Sequence, residues 1–470
     1  PHYFAGDEQL VDRNIRCLLL TPDDATDDDV EQNRPVDRHA RLYRKVESEA
    51  PAFFDMLREA KRVQRERIGK TAIAPFEPAT ITRVNESGYS HHPWVEIVPG
   101  KAAPDAPKAV IIAMHWLQSG GAERWAMETV TLARQAGLLP IIITDSDGHQ
   151  PWITRHEFDD AVLLPLTLPL QDRVGDATLL RALFEQFNIV GVLIHHCQWM
   201  YDNVWWVKRY FPETHVVDSL HIVEYIFHGG YPSESVARDK WIDIHHVISP
   251  QLEHWMEDVH HIDPKKVVDA PLVGLTADSK TPTFKSRDIS KPLTISFVGR
   301  NVRQKRPETF ILAVRELNKK FPGKLRFIMQ GNGDMDEFVD RLIERYGLGT
   351  VIQRCSMSTP VSQTYAQTDI LLVSSMNEGI TLTTIEAVSA GIPVISSNVG
   401  SQDTLVPPQG LCRRGSAQFV HDATAIVGRV LESEENRKKL WEAEKDRLEK
   451  FSKLQSANEY FHNMLTEWSH

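Results

Sequence analysis

Cysteine is scarce in the sequence, and long hydrophobic runs are absent. The four cysteines, Cys17, Cys197, Cys355 and Cys412, lie far apart and form no Cys-x-x-Cys pair. Neither a disulfide framework nor a zinc site is therefore indicated, and a reducing cytosol is the expected location. Because no apolar run approaches the roughly 18 residues that span a bilayer, we expect no transmembrane helix.

An excess of positive charge is also missing. The formal net charge is −11, which argues against nucleic acid or an anionic membrane as the main partner. With 41% apolar and 25% charged residues, the composition is that of a packed globular protein. A chain of 470 residues exceeds one hydrophobic core, so we expect two or three domains. It begins with Pro1 and shows no signal peptide, which is compatible with a piece of a longer polypeptide.

The most informative stretch begins with an apolar run at residues 369–374, which predicts a buried parallel strand. Glu378 and Gly379 interrupt the run, and residues 381–390 have helical spacing. A strand, a tight turn and a helix direct free N–H groups and the helix dipole at a ligand, so a phosphate is expected there. Glu386 follows eight residues after Glu378, and carboxylates accept hydrogen bonds from sugar hydroxyls. An ordinary βα turn with an acid favoured by the dipole is the alternative.

A second βα turn carries basic residues. Residues 293–300 predict a strand and residues 306–321 a helix, with Arg300 and Lys305 flanking the turn between them. A guanidinium and an ammonium at the end of a strand suit a diphosphate, although solvated surface charges are the alternative. The next turn contains Asn332 but lacks the last glycine of Gly-x-Gly-x-x-Gly, which disfavours a dinucleotide-dependent dehydrogenase.

The first half of the chain has a similar alternation. Strands are predicted at residues 109–114, 140–144, 189–194 and 215–219 with helical patterns between them, which implies a parallel sheet covered on both faces. Gly120 and Gly121 follow the first strand, where glycine allows the backbone to approach a ligand or only makes the turn. His221 lies just past the fourth of these strands, where α/β sheets place ligands.

Three of these motifs together resemble a known family. Glu378-x7-Glu386 followed by Ala-Val-Ser-Ala-Gly-Ile-Pro-Val-Ile, Gly-Gly-Ala-Glu-Arg at 120–124, and the Gly-Arg…Lys pattern at Arg300 and Lys305 resemble retaining glycosyltransferases of family 4 (glycosyl transferases group 1). The resemblance covers residues 108–430 and is strongest over 293–400. It implies a GT-B fold, in which two Rossmann-like parallel-sheet domains face a cleft, here with an extra N-terminal segment.

The resemblance also implies domain bounds. We expect an accessory segment at 1–106, an acceptor domain at 107–280, a nucleotide-sugar domain at 281–450, and a helix at 451–470 that crosses back to the first domain. The accessory segment is interpreted as a packed cap or as a module that binds a polymer or acceptor. Its helically spaced apolar residues, among them Phe53, Leu57 and Val63, predict one packed stripe.

The family's site residues carry over by motif. The resemblance implies catalytic roles for His221, Arg300, Lys305 and Glu378, with the two basic residues neutralising the leaving diphosphate and Glu378 holding the sugar. Donor binding is implied for Gly120, Gly121, Arg300, Lys305, Asn332, Arg354, Glu378, Gly379, Ile380, Thr381 and Glu386, the last on the ribose. Two departures are Ile222, where the family often has an acid after the histidine, and Arg354 or Cys355, where it usually has glycine, which leaves the base open.

No metal or other cofactor is predicted. Asp145-Ser146-Asp147 has the Asp-x-Asp spacing of metal-dependent transferases, but such tripeptides are common and we interpret it as a loop. The expected activity is metal-independent, retaining transfer from a nucleotide diphosphate sugar to a glycan, lipid or protein-linked acceptor. A sugar-nucleotide epimerase, a phosphorylase and a non-catalytic binding module are alternatives. A cytosolic location is expected, or one at the inner membrane face, although glutamates interleaved with Lys438 and Lys445 favour a solvated helix.

Overall fold

The computed structural model describes residues 46–78, 99–166, 173–272, 282–356 and 359–470, without positions 48, 119, 147 and 149. The predicted domain boundary at 280 lies outside these residues. Two parallel sheets form the architecture, with strand orders β3-β2-β1-β4-β5-β6-β7 and β10-β9-β8-β11-β12-β13. The strands are β1 Lys108–Met114, β2 Leu139–Thr144, β3 Val162–Pro165, β4 Asn188–His195, β5 His215–Leu220, β6 Ile244–Val247, β7 Val267–Asp269, β8 Leu293–Val298, β9 Leu325–Gln330, β10 Ile352–Cys355, β11 Ile370–Val373, β12 Val394–Ser397 and β13 Leu411–Cys412.

Helices connect the strands and cover both sheets. They are α1 Pro51–Ile68, α2 Gly121–Gln135, α3 Arg173–Gln186, α4 Gln198–Tyr210, α5 Tyr231–Ala237, α6 Pro250–His254, α7 Pro307–Lys320, α8 Asp336–Arg345, α9 Val361–Gln367, α10 Leu382–Ser389, α11 Gln402–Leu405, α12 Ser416–Glu432, α13 Glu434–Phe451 and α14 Ala457–Ser469. The expected fold class of two Rossmann-like parallel sheets with an extra N-terminal segment is therefore confirmed.

The apolar runs of the sequence become the central strands. Residues 109–114 of β1 are fully buried between β2 and β4, as expected for a parallel strand covered on both faces. The short strand β6 reads Ile-His-His-Val and was not predicted, because its histidines break the apolar pattern. His245 and His246 are nevertheless buried, and each forms side-chain hydrogen bonds, to Asp218 and Ser219 respectively.

Helix α1 packs through its charged face rather than through an apolar stripe. Asp55 is buried against Arg306 of the second domain at 3.3 Å, and Arg62 is also buried. Phe53 and Leu57, by contrast, are 53% and 48% exposed. The predicted packed stripe is therefore wrong for the part of the segment that the structure describes, because ion pairs hold the helix in place.

Helix α14 lies on the first sheet's domain. The Phe461 ring meets Trp125 edge-on at 5.0 Å, and Trp468 stacks on His215 at 5.0 Å. A Cβ at Gly191 in β4 would lie 2.3 Å from the Trp468 ring, so only glycine allows this approach. In the described parts of the chain, none of the helices combines the length and apolarity required to cross a membrane.

Candidate active site

A cavity of about 760 Å³ opens between the two domains. Its lining residues follow the carboxyl ends of strands in both sheets, where open α/β sheets place ligands. The first domain contributes residues that follow β1, β4, β5, β6 and β7, and the second contributes residues that follow β8, β10 and β11. We call these two sets the N-terminal wall and the C-terminal wall. Both predicted basic residues and both predicted glutamates line this cavity.

The C-terminal wall carries the predicted basic pair. Lys305 lies in a 3-10 turn before α7, and its Nζ is 2.6 Å from Oε1 of Glu378. Arg300 is exposed to the cavity, and no described residue forms a hydrogen bond or ion pair with its guanidinium. The pairing neutralises Lys305 and Glu378, so Arg300 is the cation on this wall whose charge no described group balances.

The amino-terminal end of α10 borders the same wall. Ile380, Thr381, Leu382 and Thr383 line the cavity, and the side chain of Thr381, the N-cap residue, accepts no hydrogen bond from a backbone N–H of the first turn. Its Oγ1 contacts Thr384 and Gln402 instead. The N–H of Thr384 donates to the carbonyl of Thr381, so the N–H groups of Leu382 and Thr383 and the positive end of the helix dipole are available to an anion in the cavity.

Glu386 connects the two domains. Tyr365 donates its hydroxyl to Oε2 at 3.0 Å, and Arg124 of α2 approaches Oε1 at 3.3 Å. Burial and the neighbouring Glu386 hold the pKa of Tyr365 well above its usual value, so the phenol remains a donor. The carboxylate is thus oriented at the edge of the cavity, about one helical turn from the α10 amino terminus.

Gly379 lies where the two domains touch. A Cβ on Gly379 would lie 1.8 Å from the carbonyl oxygen of His221. Asn377 reinforces this contact by donating from Nδ2 to the carbonyl of Val223 at 2.8 Å. The close approach, and not only the turn, is what requires glycine at this position.

The N-terminal wall contains neutral imidazoles. Burial lowers the pKa of His221 well below its usual value and lowers the pKa of His196 to about 3. The His196 ring stacks on Tyr231 at 4.7 Å, and its Nε2 is buried without a hydrogen-bond partner in the described residues. Both rings are therefore uncharged at neutral pH.

Hydrogen bonds around Ser219 fix the tautomer of His221. His246 donates from Nε2 to the carbonyl of Ala270, so its Nδ1 accepts the single hydroxyl proton of Ser219. His221 Nε2, 3.3 Å from the same Oγ, must then be the donor. Its remaining ring nitrogen, Nδ1, is a hydrogen-bond acceptor.

Glu224 also lies on the N-terminal wall. Burial raises the pKa of this carboxyl, with nearby His115 opposing the effect. No described residue forms a hydrogen bond or ion pair with it. The other wall acids are occupied: Glu234 pairs with Arg238 at 2.5 Å, and Glu123 accepts from Trp116 Nε1 at 2.8 Å.

A buried arginine links the turns that carry the C-terminal wall. Arg306 adopts a left-handed conformation with φ 46° and donates to the carbonyls of Ser374, Ser375 and Arg414 at 2.7, 3.1 and 2.6 Å. Asp55 of α1 lies 3.3 Å from the same guanidinium and accepts from the N–H of Ser416 at 3.1 Å. Helix α1 thus braces the loops that hold Lys305 and Glu378.

Some predicted residues lie elsewhere. Asn332 and Arg354 are not in the cavity lining, and Arg354 instead approaches Asp336 and Asp340 at 3.4 and 3.5 Å. Gly120, Gly121 and His221 do line it. His196, whose sequence pattern is compatible with either a structural or a cleft-lining role, also lines it. Sequence reasoning missed His115, Trp116, Glu224, Tyr231, Gln304 and Arg124; the position of several just after a strand is the signal that could have found them.

Asp145 serves the fold. It is buried and accepts from the backbone N–H of Trp199 at 2.9 Å, so it stabilises the start of α4. Asp147 lies outside the described residues. Among the residues that are described, no group of three or more His, Cys, Asp or Glu side chains is arranged to hold a metal ion.

Comparison with known proteins agrees with this geometry. Residues 279–449 match the model of the family Glycosyl transferases group 1. A D-inositol 3-phosphate glycosyltransferase of Corynebacterium kroppenstedtii is 28% identical over 237 residues, 44% of this chain and 52% of that protein. The GtfA subunit of the UDP-N-acetylglucosamine–peptide N-acetylglucosaminyltransferase of Streptococcus pneumoniae is 30% identical over 134 residues, 28% of this chain and 25% of that protein. The chain thus spans about half, or less, of the length of these relatives.

Solved structures share the fold over about three quarters of this chain. Anabaena HepE in complex with UDP superposes with a TM-score of 0.59 at 13% identity, covering 76% of this chain and 98% of that one. Pneumococcal GtfA in complex with UDP and GlcNAc gives 0.58 at 14% identity, covering 78% and 100%. At such low identity these matches show the fold. Residues 279–449 are therefore a glycosyl transferases group 1 domain, within a two-domain chain of the GT-B fold.

Proposed function

We propose that the protein is a retaining, metal-independent glycosyltransferase that uses a nucleotide diphosphate sugar. The observation that carries the proposal is the convergence of three anion-binding features on one cavity wall: Arg300, Lys305 and the uncapped amino terminus of α10. A diphosphate needs this combination of charge and N–H donors. The structural relatives in complex with UDP have the same fold.

Glu378 and Glu386 flank the proposed diphosphate site. Glu378 holds the transferred sugar, and Lys305, which contacts it at 2.6 Å, shares its remaining N–H groups with the diphosphate. Glu386, oriented by Tyr365, accepts hydrogen bonds from the ribose. Gly120 and Gly121, at the start of α2, face the same space.

In the proposed reaction, the bond from the anomeric carbon to the diphosphate oxygen breaks as a bond to the acceptor oxygen forms on the same face. The acceptor's proton passes to the departing diphosphate. Glu378 and Glu386 are both held by partners, so neither is placed as a free nucleophile. Stabilisation of the leaving group by Arg300, Lys305 and α10 therefore carries the catalysis.

A panel of UDP- and GDP-sugars tests the proposal through donor hydrolysis and transfer, with and without EDTA. We expect one donor to be cleaved, with the anomeric configuration retained and the rate unchanged by the chelator. Epimerised donor would identify an epimerase, and binding without turnover a non-catalytic module. Sugar 1-phosphate formed from a glycan and inorganic phosphate, with no cleavage of nucleotide sugars, would identify a phosphorylase. Loss of activity in EDTA that Mn²⁺ restores would contradict metal independence.

A further inference from the structure

The N-terminal wall has the chemistry of a site for an uncharged polyhydroxylated ligand. The imidazoles of His196 and His221 are neutral, and two unpartnered polar groups of the wall are hydrogen-bond acceptors: the Glu224 carboxylate and Nδ1 of His221. The Nε2 of His196 is buried in the same wall without a described partner. A wall rich in hydrogen-bond acceptors suits a ligand that donates hydrogen bonds, as hydroxyl groups do.

The same wall is unsuited to an anion. The cation that this domain adds to the lining, Arg124, approaches Glu386 on the opposite wall at 3.3 Å. Among the described residues, the N-terminal wall has no arginine or lysine that faces Glu224, Glu123 or Glu234 and lacks an ion-pair partner. Arg238 already forms ion pairs with Glu234 and Asp202. A phosphate directly beside Glu224 would meet like charge.

Aromatic side chains complete the wall. Phe227 is 68% exposed at the cavity rim, and Trp116 and Tyr231 also line it. Aromatic faces pack against the apolar C–H faces of a sugar ring, while carboxylates accept from its hydroxyls. Both features therefore suit the same ligand.

We infer that the acceptor is an uncharged carbohydrate, that Glu224 accepts a hydrogen bond from one of its hydroxyls, and that phosphorylated acceptors are rejected. This inference rests on the proposed transferase function. It separates the chain from its Corynebacterium relative, whose name specifies an inositol 3-phosphate. Glu224 contacts the acceptor and takes no part in holding the nucleotide.

The test uses the full chain, the donor that hydrolysis identifies, and neutral methyl glycosides beside their 6-phosphate counterparts. We expect transfer to a neutral glycoside to be at least about 10-fold more efficient. Glu224→Gln should lower that efficiency about 10- to 100-fold, the cost of one hydrogen bond to a charged group, while donor hydrolysis in water and donor KM stay near wild type. Glu213→Gln, an exposed acid on the same domain, is the matched control.

Two outcomes overturn the inference and leave the proposed function intact: preference for the phosphorylated glycosides, or equal loss of donor hydrolysis and transfer in Glu224→Gln, which would place Glu224 at the donor. Binding can also be measured without donor, by saturation-transfer NMR of the neutral glycosides. Signals that weaken in Glu224→Gln but not in Glu213→Gln support the inference even if no nucleotide sugar is turned over. Equal signals in all three proteins contradict it.

Discussion

The two walls of the cavity carry opposite uncompensated charges. On the C-terminal wall, Lys305 and Glu378 neutralise each other and Arg300 is left without a described partner. On the N-terminal wall, His196 and His221 are neutral and Glu224 has no hydrogen bond or ion pair with a described residue. One cavity can thus hold an anionic group on one side and an uncharged hydroxylated group on the other. This difference assigns the proposed donor and acceptor to separate domains.

The walls also differ in how they are held. The C-terminal wall depends on Arg306, which hydrogen-bonds the turns around it and pairs with Asp55 of α1. The N-terminal wall depends on hydrogen bonds of buried histidines that lie in or just after β4, β5 and β6. Mutation can remove either set of interactions without changing the other.

The largest effect is expected from Arg306→Ala. This change leaves Asp55 buried without its partner and frees three carbonyls, so it should lower the free energy of unfolding by about 3–5 kcal/mol, as for other broken buried pairs. Urea unfolding measures the loss. Lys438→Ala, which breaks an exposed pair with Glu442, is the control and should change little. An Arg306→Ala protein as stable as this control would show that α1 does not brace the wall.

The next largest effects are expected from changes to Arg300 and Lys305, the two basic residues of the proposed diphosphate site. Arg300→Ala and Lys305→Ala should each lower kcat by ~10²-fold, the scale of losing one preorganised charge stabiliser. Lys319→Ala, at the exposed far end of α7, should retain full turnover. Normal turnover in both the Arg300→Ala and the Lys305→Ala variants would show that these residues do not stabilise the leaving group.

Replacing each of the two glutamates of the C-terminal wall should change a different kinetic parameter. Glu386→Gln removes a contact remote from the reacting bond, so the KM for donor should rise with little change in kcat. Glu378→Gln removes a contact that strengthens as positive charge develops on the sugar ring, so kcat should fall and the KM for donor should change less. Steady-state kinetics separates the two patterns. The same change in both variants would contradict the assigned roles.

The C-terminal wall was predictable because its motif is local. Glu378, Gly379 and Glu386 lie within one strand–turn–helix unit, and Arg300 and Lys305 lie within another. The N-terminal wall gathers residues after several strands, and only the strand order brings His196, Glu224 and Tyr231 together. Helix α1 was misjudged for a different reason: the ion pair of its Asp55 with Arg306, and that of Glu47 just before the helix with Arg303, join residues about 250 positions apart in the sequence.

The smallest effect concerns the buried histidines under the N-terminal wall. Burial lowers the pKa of His195 to about 3. In the unfolded chain this histidine binds a proton with a pKa of about 6.5, whereas in the folded chain it stays neutral at that pH. Its contribution to stability is therefore complete above that pH and is lost as the pH falls. From pH 7.5 to 5.5, wild type should lose about 1.4 kcal/mol more than His195→Gln. Urea unfolding at both pH values measures this difference, and equal losses would show that His195 titrates in the folded state.

The division of labour between the walls is tested most directly by calorimetric titration of UDP and GDP into three proteins: wild type, Arg300→Ala and Glu224→Gln. The account predicts that at least one nucleotide binds wild type, that Arg300→Ala weakens this binding by about 10-fold or more, and that Glu224→Gln leaves it within about twofold. Equal weakening in both variants, or weakening in Glu224→Gln alone, would contradict the assignment of the donor to the C-terminal wall.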